Sequence, residues 1–170
     1  IWLRDPKPFV KSYYIQTLKN QRLKSRKIFG QDISLEDILE SKWVQGILDY
    51  TGVLDEIKYY FSEDVLKVFK YEKDTIKQFC KFLEFEPKEL NKISVNKALS
   101  QPTISLLRVL NQYDLSAKDK RIAVKQLYAL DAIMKKYSKG EELEESTSLK
   151  IDKLLRMNLN ELKKKYFIEF

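Results

Sequence analysis

The apolar positions change period several times along the chain, and each change marks a predicted element. Residues 1–3 are a short apolar run, Asp5 and Pro6 break it, and Phe9, Val10, Tyr13, Tyr14 and Leu18 then recur at helical spacing behind Pro8. A strand, a turn and a helix are predicted there. Ser34-Leu35-Glu36-Asp37 reads as a capping box, with Leu35, Ile38, Leu39 and Trp43 following at helical spacing. Gly52 punctuates that pattern, and Leu54, Ile57, Tyr60 and Phe61 extend it. Aromatics so spaced, Trp43 and Tyr59-Tyr60-Phe61, are read as core, the alternative being the lining of a sugar or adenine site.

Residues 65–71 alternate and are rich in β-branched and aromatic side chains, which predicts a second strand. Asp74 is placed to cap a helix carrying Ile76, Phe79, Cys80 and Leu83, and Glu86-Pro87 to stop it. Residues 92–102 lack a period and read as a loop, either a connector or a polar flap. Leu106, Leu107 and Leu110 make one helical stripe. Behind a capping signal at Ser116 to Asp119, Ala123, Leu127, Leu130, Met134 and Tyr137 make another, up to Gly140. That helix is expected to pack on the one before it. Residues 141–148 read as an acidic linker, and Leu149, Ile151, Leu154, Leu155, Leu159 and Leu162 lead into Lys163-Lys164-Lys165, which suits a helix C-terminus. Two strands separated by some sixty mainly helical residues cannot make an independent sheet, so further strands are expected upstream.

Composition narrows the chemistry. With 170 residues, 44% hydrophobic and 34% charged, the chain fits one domain with a real core over residues 1–170. There is no His and one Cys, so His-based metal sites and Ser-His or Cys-His catalysis are unavailable, and no metal is expected. Cys80 is read as a buried thiol. A net charge of +7 admits an anionic partner without choosing among nucleotide, acidic glycan, nucleic acid or membrane surface. No run of about 18 apolar residues spans a bilayer. A cytoplasmic protein is the default reading, with a targeting segment upstream left open.

The first junction carries the candidate chemistry. Anions collect where a strand ends and the next helix presents unpaired N–H groups. Arg4 stands at that exit with a planar fork suited to phosphate, and Ser12, eight residues on, offers a hydroxyl. The basic run of Arg22, Lys24, Arg26 and Lys27 reads as a solvated helix end or an acceptor-facing patch. Glu72, at the exit of the second strand, is weighed as a base and read as structural.

Arg4-Asp5-Pro6 followed by Ser12-Tyr13-Tyr14 resembles the segment by which sulfotransferases hold the 3′-phosphate of 3′-phosphoadenylyl sulfate. The likeness continues through Tyr50, the Tyr71-Glu72 pair, Phe79-Cys80-Lys81-Phe82-Leu83, Asn96 to Ser100, and Ser105-Leu106-Leu107-Arg108-Val109-Leu110-Asn111, covering residues 1 to about 115. Residues 116–170 form a helical C-terminal region. The resemblance implies an α/β class, the mostly helical C-terminal part of a P-loop-like fold with a parallel sheet. It also implies transfer of a sulfuryl group to a hydroxyl, on a carbohydrate acceptor. Arg4 and Ser12 would hold the nucleotide co-substrate, with Asn96 or Lys97 approaching it from the loop. The family's Gly-rich loop for the 5′-phosphosulfate is absent, since none of Gly30, Gly46, Gly52 and Gly140 sits in such a pattern. The chain is therefore read as part of a longer polypeptide, its catalytic base unassigned. The alternatives are a basic helical module that binds nucleic acid or protein without catalysis, and a sulfotransferase-like fold that has lost activity.

Overall fold

The computed structural model describes residues 1–20, 28–62, 66–72, 74–86, 99–136 and 145–170. Its elements run β1 (Trp2–Leu3), α1 (Pro6–Lys19), α2 (Leu35–Glu40), α3 (Lys42–Leu48), α4 (Tyr50–Tyr60), β2 (Phe69–Lys70), α5 (Thr75–Phe82), α6 (Gln101–Leu110), α7 (Ala117–Met134) and α8 (Glu145–Tyr166). The chain is thus mostly helical, with one two-stranded sheet whose strands run parallel, Trp2 opposite Phe69 and Leu3 opposite Lys70. Parallel pairing follows from the crossover of four helices between the strands.

The chain divides into two compact units, one of Ile1–Pro6, Gly46–Asn96 and Asp152–Phe170, the other of Lys7–Gln45 and Lys97–Ile151. In the first, Leu3, Tyr50, Leu54 and Leu162 form a buried cluster, with Leu66, Val68, Leu159, Tyr166 and Phe170 packed against it. Leu155, Leu159 and Leu162 recur at intervals of four and three along α8, which is why that face turns inward. Its last turn carries Lys163, Lys164 and Lys165, as the dipole argument expects. Lys163 pairs with Glu169 at 2.8 Å and Lys165 with Asp55 at 2.9 Å.

In the second unit Val10, Leu18, Ile38, Val44, Ile104 and Leu107 are buried. Ser34 caps α2 by the anticipated capping box with Asp37, and the Ser116 hydroxyl accepts the Asp119 N–H at the start of α7. α6 and α7 pack together, as their apolar stripes predict.

Several expectations are corrected. α1 begins at Pro6 rather than behind Pro8, because a proline at the first helical position costs no hydrogen bond. The region read as an acidic linker already contains the start of α8, at Glu145. Trp43, Tyr59, Tyr60 and Phe61 are not core but 56%, 83%, 71% and 60% exposed. The inward face of α4 is set by Tyr50 and Leu54, and at 100° per residue Tyr59 falls on the opposite side and Tyr60 on the flank. In α3 the inward pair is Val44 and Leu48, which turns Trp43 outward. On α5 the thiol of Cys80 is buried as read, yet Ile76, Phe79 and Leu83 beside it are exposed. Asp74 makes no side-chain cap there, and the Thr75 hydroxyl instead ties back to the preceding turn, accepting the Glu72 N–H and donating to the Glu72 carbonyl.

Candidate functional site

Arg4 follows β1 directly, and its side chain is exposed. Its backbone is held from the first unit's core. The Tyr50 hydroxyl donates to the Arg4 carbonyl at 3.0 Å. Burial pushes the Tyr50 phenol up to about 12, with Asp5 adding to the shift and Arg4 opposing it, so Tyr50 stays a neutral donor at any physiological pH. The matched Tyr50 of the resemblance thus fixes where the strand ends. Glu72, just past β2, is exposed, and its main chain is engaged by Thr75.

Ser12 lies on the exposed side of α1, in the second unit, at the helix's seventh residue. The start of α1 is a poorer anion site than its dipole suggests. Pro6 and Pro8 carry no N–H, so only Lys7 and Phe9 of the first four residues can donate one.

What holds α1 in the second unit is a polar pin built around Asn111. Its Nδ2 donates to the carbonyls of Leu18 at 3.2 Å and Gln31 at 2.9 Å, and the buried Lys120 donates to its Oδ1. Burial pushes the Lys120 ammonium down. Gly30, at φ 65°, turns the chain back so that its N–H reaches the Thr17 carbonyl at 2.8 Å. Arg108, the other polar member of that helix motif, pairs with Asp32 at 2.8 Å, and Gln112 donates to the same carboxylate at 2.9 Å. Arg108 and Asn111 therefore tie the end of α6 to the C-terminal turn of α1 and to residues 31–32.

Ser100, matched in the loop motif, is the N-cap of α6 and is tied to the buried Asp131 of α7. Asp131 accepts the Ser100 N–H and hydroxyl, each at 2.7 Å, and pairs with Lys135 at 2.7 Å. Nothing in the sequence marked Asp131, since an acid on a helix ordinarily faces water. Asn96 and Lys97, and the basic run from Arg22 to Lys27, lie outside the described residues. The glycines serve the backbone. Gly46 lies within α3, while Gly52 on α4 gives its N–H to Asp49 at 3.0 Å, where an added Cβ would meet that carboxylate at 2.3 Å.

No family model, curated protein or solved structure matches the chain.

Proposed function

We propose that the protein transfers a sulfuryl group from 3′-phosphoadenylyl sulfate to a hydroxyl of a carbohydrate acceptor, and that Arg4 binds the 3′-phosphate of the nucleotide. The observation that carries this reading is Arg4 itself. It leaves the carboxyl end of a parallel strand, its carbonyl fixed by Tyr50 and its guanidinium exposed. That is where α/β sheets bind ligands, and a planar fork meets a phosphate with two parallel hydrogen bonds.

The reaction is an in-line displacement at sulfur. The acceptor oxygen forms a bond to sulfur and loses its proton to a base, while the bond from sulfur to the bridging phosphate oxygen breaks and 3′-phosphoadenosine 5′-phosphate leaves. Arg4 acts away from the transferred group, fixing the register of the nucleotide, so its contribution is positional.

Calorimetric titration with 3′-phosphoadenosine 5′-phosphate, with adenosine 5′-monophosphate as control, tests this. The 3′-phosphorylated nucleotide should bind preferentially, and Arg4→Ala should weaken it by roughly 1.5–3 kcal/mol, the scale of hydrogen bonds to a charged group. Equal affinity for the two nucleotides, with salt-steep binding to single-stranded DNA, would favour the basic binding module instead.

A further inference from the structure

Five aromatic rings, those of Trp2, Phe61, Phe69, Phe79 and Phe82, line a cleft of about 260 Å³ in the first unit. Four of them already form a cluster. Trp2 stacks on Phe69 at 5.2 Å, Trp2 and Phe79 meet edge to face at 5.4 Å, and Phe69 and Phe82 do the same at 6.2 Å. Phe61, Phe79 and Phe82 nevertheless remain 60%, 44% and 48% exposed, so an apolar occupant would take ring surface out of water. The polar groups around the strand entrances are spent. The Trp2 indole N–H donates to Gln78 Oε1 at 3.2 Å, the Phe69 N–H to the Ile1 carbonyl at 2.8 Å, and the Ile1 nitrogen to the Lys67 carbonyl at 2.7 Å.

Size and charge select the occupant. A dry cavity of about 150 Å³ takes a benzene ring, so this cleft has room for a fused pair of rings. Ring walls favour a ring over an alkyl chain, since an aromatic pair gains about two- to tenfold beyond its buried area. Lys67 carries the only charged side chain of the lining, its ammonium 5.3 Å over the Phe82 ring, and it makes no ion pair among the described residues. α5 has no acid over Thr75–Phe82, and Glu56 of α4 is turned about 100° from Ile57 and about 140° from Phe61, the residues at that end that line the cleft. Glu63 and Asp64 lie outside the described residues. We propose that the cleft binds a small planar aromatic acid, the rings holding its apolar body and Lys67 its carboxylate. This is not the nucleotide site. The strand-side lining, residues 1, 2, 66, 67 and 69, comes from the amino ends of β1 and β2, whereas Arg4 leaves the carboxyl end.

Calorimetry with 2-naphthoate as probe tests it, with 2-naphthalenemethanol as neutral control and octanoate as aliphatic control. The naphthoate should bind saturably and more tightly than either. Lys67→Gln should bring it level with the alcohol, a loss of about two- to fivefold, the scale of an exposed ion pair. Phe61→Ala, a change to an exposed wall, should weaken it about two- to tenfold, and Tyr59→Ala, 83% exposed on the opposite side of α4, should leave it unchanged. The tryptophans are Trp2 and Trp43, so in nitrogen-15-labelled protein the Trp2 indole N–H signal should move with naphthoate and that of Trp43 should stay. All three variants should bind the nucleotide as the parent does. No naphthoate binding, equal binding of the alcohol or octanoate, affinity unchanged in both Lys67→Gln and Phe61→Ala, or a shift confined to Trp43 overturns the assignment and leaves the transfer reading standing. So does a Trp2 signal that moves on dilution of the protein alone, which would put a second copy in the cleft, or on addition of phosphatidylcholine vesicles, which would put a lipid surface there.

Discussion

A carboxylate buried in the last turn of a helix survives only if it is well bonded, and Asp131 is. Burial alone would raise its pKa, but the Lys135 ammonium and the Ser100 hydroxyl and N–H outweigh burial and hold it down to about 2. Because its folded value lies below the ordinary 3.8, its contribution is complete above pH 3.8 and is lost as pH falls through about 2. Asp131→Ala should therefore cost about 2–3 kcal/mol near pH 6, the scale of bonds to a charged acceptor, and progressively less toward pH 2. Urea denaturation of parent and variant across that range checks it, and a difference independent of pH would contradict the assignment. Lys120 works in the opposite sense. Burial lowers its pKa below 10.5, so it opposes folding at neutral pH and the chain gains stability as pH rises through its folded value toward 10.5. Its hydrogen bond to Asn111 offsets part of that cost.

At the scale of elements, the end of α5 carries a removable strain. Glu84 sits at φ 54°, the left-handed region, while the Phe85 N–H reaches the Cys80 carbonyl at 2.8 Å and the Glu84 N–H reaches the Lys81 carbonyl at 3.1 Å. This is a Schellman ending with glutamate where glycine is preferred. Glu84→Gly should raise stability by about 0.5–1 kcal/mol, read as a higher urea midpoint, and Glu84→Val should lower it. At the other end of the same helix, Thr75→Val should cost about 1 kcal/mol, through loss of the hydroxyl's two bonds to Glu72, and Asp74→Ala close to nothing, since Asp74 makes no cap. These ends also show what the chain made legible. Ser34 and Ser116 were readable as caps because each bond closes within three residues, and α6 and α7 because their stripes are adjacent in sequence. Asp131 was not readable, because its partner Ser100 lies 31 residues away and no local pattern links them. Periodicity also misjudged Tyr59, where aromatic content was taken for burial although the phase of Tyr50 and Leu54 already placed it outside, and Tyr60, which that phase puts at the edge of the inward face. Of the candidate site, Arg4 and Ser12 were named from residue types and spacing, whereas the pin of Asn111 on Leu18 and Gln31 needs residues 80 and more apart.

For the whole molecule, the net charge of +7 confounds any claim about a phosphate ligand. A 3′-phosphate adds negative charge to the nucleotide, so the general field would favour it over adenosine 5′-monophosphate even without a site. Two physical differences separate the field from Arg4. The field between exposed charges is screened over about 10 Å at 0.1 M salt and about 3 Å at 1 M, whereas a bidentate guanidinium–phosphate contact lies inside either length. And the field depends on total charge, whereas the contact depends on place. Lys164 is exposed on the last turn of α8 in the same unit as Arg4, so Lys164→Ala removes the same single charge as Arg4→Ala. The expected outcome is that preference for the 3′-phosphorylated nucleotide persists in about 0.5 M salt, survives Lys164→Ala and is abolished by Arg4→Ala. Calorimetry of the three proteins at low and high salt measures it. Equal losses in the two variants, or a preference that vanishes with salt in the parent, would assign the selectivity to bulk charge and remove the basis for a phosphate site at the end of β1.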